Sequence, residues 1–286
     1  MILEIGNFYY FLVIFIVFAI PFGLYFILRG KSEKTIRYTL LGIAFANFAL
    51  HFLKIFHPSY FVDIEESLRR MSLENICALS TVVLPFAMLC KNKTIKSYVY
   101  LISFLGGFLA AFLPTEPNGR PVYEFNTIRF YFCHCALFTV PTLALVTKEF
   151  KPDFKQAIWM PLMFLIGQTI ILCNELFLDL VGLVDYTLES FLSQDYRNPS
   201  FVFGPNSEFN WIAEKFTFLI PEIFTKNIFG IPGVGDFYWP VVWIIIPVVL
   251  FFPTIYFLLT LPYTYNDVKE FINNLKHKTN VNKINQ

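Results

Sequence analysis

Seven separate runs of apolar side chains, each long enough to cross a bilayer as a helix, dominate this chain. A helical span needs about 20 mostly apolar residues. Runs of that kind cover Phe8–Leu28 and then 38–56, 73–90, 97–113, 127–146, 157–180 and 239–261. In hydrocarbon every backbone N–H and C=O has to be satisfied within the protein, and segments of this length achieve that as α-helices. Only 15 % of the 286 residues are charged, against about 25 % in a soluble domain, so lipid is the main solvent. Pro21, Pro85, Pro141, Pro161, Pro247 and Pro253 fall inside the runs, where neighbouring helices can take up the freed carbonyls.

Lysine and arginine set the orientation. Fourteen of them, from Arg29 to Lys283, fall in the loops after the first, third, fifth and seventh runs, and six fall in the alternate loops. This distribution predicts an all-α membrane protein of about seven transmembrane helices in one bundle, with the N-terminus outside and the C-terminus cytoplasmic. Residues 1–262 make a single transmembrane domain. Residues 263–286 are a polar cytoplasmic tail that frays beyond a short helix near 266–276. The apolar piece at 209–231, interrupted by charges and Pro221, reads as a re-entrant or interfacial segment. Counting it as an eighth span would put the basic tail outside. The first run lacks a basic leader and a small-residue cleavage pattern, and reads as a retained span. A net charge of +1 without basic clusters excludes nucleic acid as a partner. The five cysteines lie in or beside apolar runs, which argues against a disulfide scaffold.

Polar groups inside spans cost free energy and call for a partner or a role. At 1.5 Å per residue, Glu74 and Cys77 fall within about 6 Å of the outer boundary and His134 about 10 Å below it. His51, Lys54, Arg129, Asn174 and Glu175 share the same outer third. That asymmetry predicts an outward-facing cavity. Glu74, Cys77 and Thr81 recur at i, i+3 and i+7, one face of a helix. A cysteine nucleophile needs a base, and histidine suits the task near neutrality. Each group also has a plain structural reading: buried thiols fill space, histidines join helices, and lysines reach for the interface. Cys133, His134 and Cys135 point about 100° apart on a helix and cannot ligate one ion together. A zinc site drawn across helices from Cys77, Cys173, His134 and His51 is the remaining metal arrangement.

Leu73-Glu74-Asn75-Ile76-Cys77-Ala78-Leu79-Ser80, followed by Pro85-Phe86-Ala87, resembles the cysteine-bearing span of the YwaF-type bacterial membrane proteins, distant relatives of human transmembrane protein 164. Phe130-Tyr131-Phe132-Cys133-His134 is similar to that family's aromatic-x-x-histidine element. Asn174, Phe203-Gly204-Pro205-Asn206 and Phe237-Tyr238-Trp239-Pro240 match its later landmarks in order. At Asn75 the family usually shows proline. The human relative is a lipid acyltransferase using a cysteine and a histidine, and a further group hydrolyses fatty-acid esters with threonine and histidine. The resemblance therefore implies Cys77 as nucleophile, His134 as base, and Asn174 and Asn206 as supporting polar groups.

Two functional classes stand open. One is lipid acyl transfer or acyl-ester hydrolysis at the cell membrane, with catalytic Cys77 and His134. Glu74, Thr81, Asn174, Glu175, Asn206 and His51 would support them, with membrane lipids as partners and neither cofactor nor metal. The other is a small-molecule transporter or binding protein that uses the same polar stratum without catalysis.

Overall fold

A computed structural model describes residues 1–184, 187, 192, 198–205, 215 and 217–284, with backbone alone for 275–284. Among the described residues eight α-helices carry the fold: α1 (Phe8–Leu28), α2 (Glu33–Leu53), α3 (Ile64–Met71), α4 (Ile76–Leu89), α5 (Lys93–Phe112), α6 (Phe125–Val146), α7 (Met160–Leu180) and α8 (Ile245–Ile284). Short polar caps start them. The side chains of Asn7, Ser32, Asp63, Asn75 and Asn92 each accept a first-turn N–H that the helix itself cannot satisfy.

Six helical segments are long and apolar enough to span a membrane singly. The pair α3 and α4, bent by 46° at a four-residue break, is a seventh candidate, as a broken span or a re-entrant loop. The two chain ends pack at opposite ends of α6. Leu3 exchanges backbone hydrogen bonds with Gly119 and Arg120 in the α5–α6 loop. At the other end Lys151 pairs with Asp267, and Phe154 meets the Phe271 ring at 5.6 Å. The protein is thus a multi-pass membrane protein, as its apolar runs predict.

The core sits on α5 and α6. Two-thirds (67 %) of the most apolar window of α6 is buried within the protein, against 17 % for α1. Phe8, Phe11, Phe15, Phe22 and Phe26 of α1 stay exposed, a surface that water would penalise and acyl chains accept. Glycine decides how closely the central helices meet. A Cβ on Gly107 of α5 would lie 2.5 Å from the His134 carbonyl oxygen and 2.6 Å from the Phe138 nitrogen of α6. No other residue permits that approach.

One expectation needs correction. The tail does not fray beyond a short helix: α8 runs unbroken for 40 residues to Ile284, about 60 Å at 1.5 Å per residue. The described part of 209–231, residue 215 and residues 217–231, includes the 3-10 turns Thr217–Leu219 and Glu222–Thr225. A loop follows, braced by Asn227, whose amide donates to the Ile231 and Val234 carbonyls. Residues 206–214 and 216 lie outside the described residues.

Gly107→Ala has to push α5 away from the α6 backbone and should lower stability by about 1–3 kcal/mol. Gly42→Ala, with open space around its Cβ, should be neutral or gain up to about 1 kcal/mol. Thermal unfolding of the purified full chain in detergent measures both.

Candidate functional site

The break between α3 and α4 is where the polar residues gather. A helix broken inside a membrane leaves carbonyls of the first half and N–H groups of the second without partners. On the first half, His51 places Nε2 2.8 Å from the Met71 carbonyl, and Lys54 donates to the Arg70 carbonyl at 2.6 Å. Positive groups at a helix C-terminus also oppose its dipole. On the second half, Asn75 Oδ1 accepts from the Ala78 N–H at 2.8 Å, and Ser200 Oγ from the Ile76 N–H at 2.6 Å. Between the two, Asn174 accepts from the Leu73 N–H at 3.3 Å and donates to Ser72 Oγ at 2.9 Å.

A second layer fixes the first. Glu175, fully buried, accepts from Asn198 at 2.6 Å and lies 3.9 Å from the Arg69 guanidinium. The same Asn198 amide donates to the Glu74 carbonyl at 2.7 Å, and its Oδ1 accepts from the Ser200 N–H at 2.7 Å. Glu116, in the α5–α6 loop, bridges Arg70 and Arg129. Segment 198–202 is stitched onward to the start of α8. Trp243 donates to the Phe201 carbonyl at 2.8 Å, and the Val241 N–H donates to Val202 at 2.9 Å. Phe201 and Val241 have φ of 64° and 65°, a left-handed conformation costly for a β-branched residue. These cross-links hold it. Gly204 has φ of 118° with the Tyr238 ring where a Cβ would stand.

The first turn of α4 carries Cys77. Two of the first three N–H groups are taken by Ser200 and Asn75. The N–H of Cys77, between them, has no partner among the described residues. Its sulfur faces α5, where a Cβ on Gly106 would come within 3.0 Å. Gly107, the next residue, carries the backbone of His134. Cys77 stands twelve residues before the end of α4 and His134 twelve before the end of α6. Both are therefore about 18 Å from that side of the bundle. Asn47 of α2 locks the spacing, donating to the Cys133 carbonyl at 3.3 Å and Thr81 Oγ1 at 3.5 Å. His134 donates Nδ1–H to the Phe130 carbonyl, 2.8 Å away, because a carbonyl can only accept. That fixes the tautomer and leaves the Nε2 lone pair, without a partner among the described residues, as a base.

Three sequence expectations change. The run from Leu73 is not one helix: α3 ends at Met71 and α4 starts at Ile76, which puts Cys77 in the first turn of α4. Glu74 precedes the helix and does not share a face with Cys77, whereas Thr81, four residues on, does. His51 is spent on the Met71 carbonyl and Cys173 is exposed. Among the described residues no three His, Cys, Asp or Glu side chains converge as metal ligands would. Asn206 lies outside the described residues. Sequence reasoning missed Asn47, Gly106, Gly107, Asn198 and Ser200. The adjacent glycines inside an apolar run were the one visible signal among them.

Fold and site together define a multi-pass helical membrane protein with a thiol and an imidazole at one depth in its core. The TMEM164 family profile matches residues 5–221, which include Cys77, His134 and Ser200, and the chain belongs to that family. No curated protein and no solved structure matches it.

Asn75→Ala removes the α4 cap and should cost about 1 kcal/mol, whereas Asn75→Ser should largely retain it. Asn198→Ala strips a hydrogen bond from a buried carboxylate and should cost about 1.5–3 kcal/mol. The thermal midpoints of the purified full chains, compared with wild type, test the ranking.

Proposed function

We propose that this protein is a membrane-embedded acyl-transfer enzyme of the cell membrane, with the N-terminal end of its bundle outside, in which Cys77 attacks a lipid ester and His134 serves as base. One observation carries the reading: the Gly106–Gly107 step of α5 receives the Cys77 thiol on one residue and the His134 backbone on the next, at matched depth. The fixed His134 tautomer adds to it, and so does the N–H of Cys77, which has no partner among the described residues. The likeness of both motifs to the YwaF-type proteins and to human transmembrane protein 164 points the same way.

The steps follow from these atoms. Nε2 of His134 takes the thiol proton as sulfur bonds to the ester carbonyl carbon. The oxyanion meets the Cys77 N–H at the positive end of α4, a donor already in place before the charge develops. The carbon–oxygen bond then breaks, the lipid alcohol leaves with the proton from the imidazolium, and the acyl group stays on sulfur as a thioester. A second alcohol, or water, attacks that thioester through the same base and restores the thiol. Asn174 is a supporting group in this scheme, its Nδ2 donating to Ser72 and its Oδ1 accepting from Leu73.

Transport draws on the same polar stratum, but Glu175, Glu74, His51 and Lys54 are spent on neighbouring backbone and side chains around the break.

Full-chain protein in liposomes, incubated with phospholipid and a lyso-lipid acceptor, should gain an acyl mass on Cys77 that neutral hydroxylamine removes. Cys77→Ala should lose the adduct and the transfer. His134→Ala should slow transfer by about 10²–10⁴-fold. Identical lipid profiles for wild type and Cys77→Ala, with both proteins folded in the membrane, would sink the proposal. Uptake that survives Cys77→Ala and fails in Glu74→Ala or His51→Ala would establish the transporter instead.

A further inference from the structure

The described residues hold one more feature that the reaction above does not use. A groove of about 180 Å³ runs between α7 and α8, lined by Phe164 and Gln168 of α7, Ser200 and Phe201, and Trp243, Val248 and their neighbours up to Phe252. From Ile245 to Phe252 the α8 wall is eight residues long, about 12 Å. At one end the Phe164 and Phe252 rings close on each other at 4.2 Å. At the other end lies Ser200, whose hydroxyl holds the Ile76 N–H, one residue before Cys77.

Its chemistry and size choose the occupant. The accessible wall is carbon throughout, so a polar solute would shed its hydration there and gain no hydrogen bond in return. The volume equals about six water-sized units, and a helix of 10–12 Å diameter cannot enter. Both walls are built on helices long and apolar enough to cross a membrane, where acyl chains are the surrounding solvent. The structure keeps the groove from collapsing. Trp243 is tied to the Phe201 carbonyl, and α7 is drawn against α5 at Gly167, where a Cβ would meet the Tyr98 hydroxyl at 2.6 Å.

We infer that this groove is an acyl-chain subsite. One fatty-acyl chain of a membrane lipid lies along it, tail toward Phe164 and Phe252, with the ester end at Ser200 beside the first turn of α4. The direction of the chain rests on the acyl-transfer reading, whereas its binding needs neither Cys77 nor His134.

The test uses full-chain protein in phosphatidylcholine nanodiscs containing phosphatidylcholine probes with a photoreactive diazirine either near the carboxyl end or near the tail of one chain. Cross-linked peptides are mapped by mass spectrometry. Phe22 and Phe26, exposed on α1, report ordinary lipid contact. The tail probe should label Phe251 and Phe252, and the carboxyl-end probe Ser200 and Phe201, each several-fold above Phe22. Val248→Phe, which narrows the groove, should cut groove labelling at least fivefold and leave α1 labelling unchanged. Should that variant unfold on heating earlier than wild type, competition decides in its place: excess unlabelled phosphatidylcholine with long chains should displace the probe from the groove, and its short-chain counterpart should not. Groove labelling no greater than that of α1, or labelling at the same residues by both probes, overturns the proposal. Cys77→Ala should label as wild type. Lost transfer with retained labelling defeats only the Cys77 mechanism, and lost labelling with Cys77-dependent transfer defeats only the groove.

Discussion

A membrane-crossing helix cannot be broken without finding new partners for its backbone, and most of the polar chemistry in this protein answers that constraint. The break between α3 and α4 exposes carbonyls at Arg70 and Met71 and N–H groups at Leu73, Ile76 and Ala78. Lys54, His51, Asn174, Ser200 and Asn75 meet them in that order. Glu175 and Asn198 then orient the residues that do so. The break is what gives α4 a helix N-terminus deep in the bundle, and therefore what sets Cys77 beside an open N–H. An unbroken span would carry the same thiol with every nearby amide already bonded along the helix.

Much of this architecture was legible in the sequence. The apolar runs predict the crossings, and their odd number separates the chain ends, because length and hydropathy directly reflect what lipid accepts. The depth of Cys77 was not legible. The apolar run begins at Leu73, and nothing in hydropathy distinguishes a helix that starts there from a polar break followed by a start at Ile76. Helix α3, Ile64–Met71, carries Glu65, Glu66, Arg69 and Arg70 and reads as loop; besides their local pairs with Glu66, its arginines reach Glu116 and Glu175, far away in sequence.

The candidate pair itself was proposed from residue type and resemblance. The shared level with α5 comes from two glycines whose role depends on which helices neighbour α5, a tertiary fact. Several of the polar residues proposed as pocket lining gather at the break between α3 and α4. Asn174, Glu175 and His51 meet because they repair backbone. Asn198 and Ser200 reach the same place from a segment with no helical or hydropathic pattern to announce it.

The depth of Cys77 also bears on chemical selectivity. On the proposed reaction, an acyl group held on the Cys77 sulfur, about 18 Å along α4 from the end of that helix, would sit where water is scarce and lipid alcohols arrive by lateral diffusion. Under such conditions the resolving nucleophile is set by local supply and not by intrinsic reactivity. A thioester formed there would pass its chain to another lipid far more often than release it as a free fatty acid, so the position of the helix break would bias the protein toward remodelling lipids over degrading them.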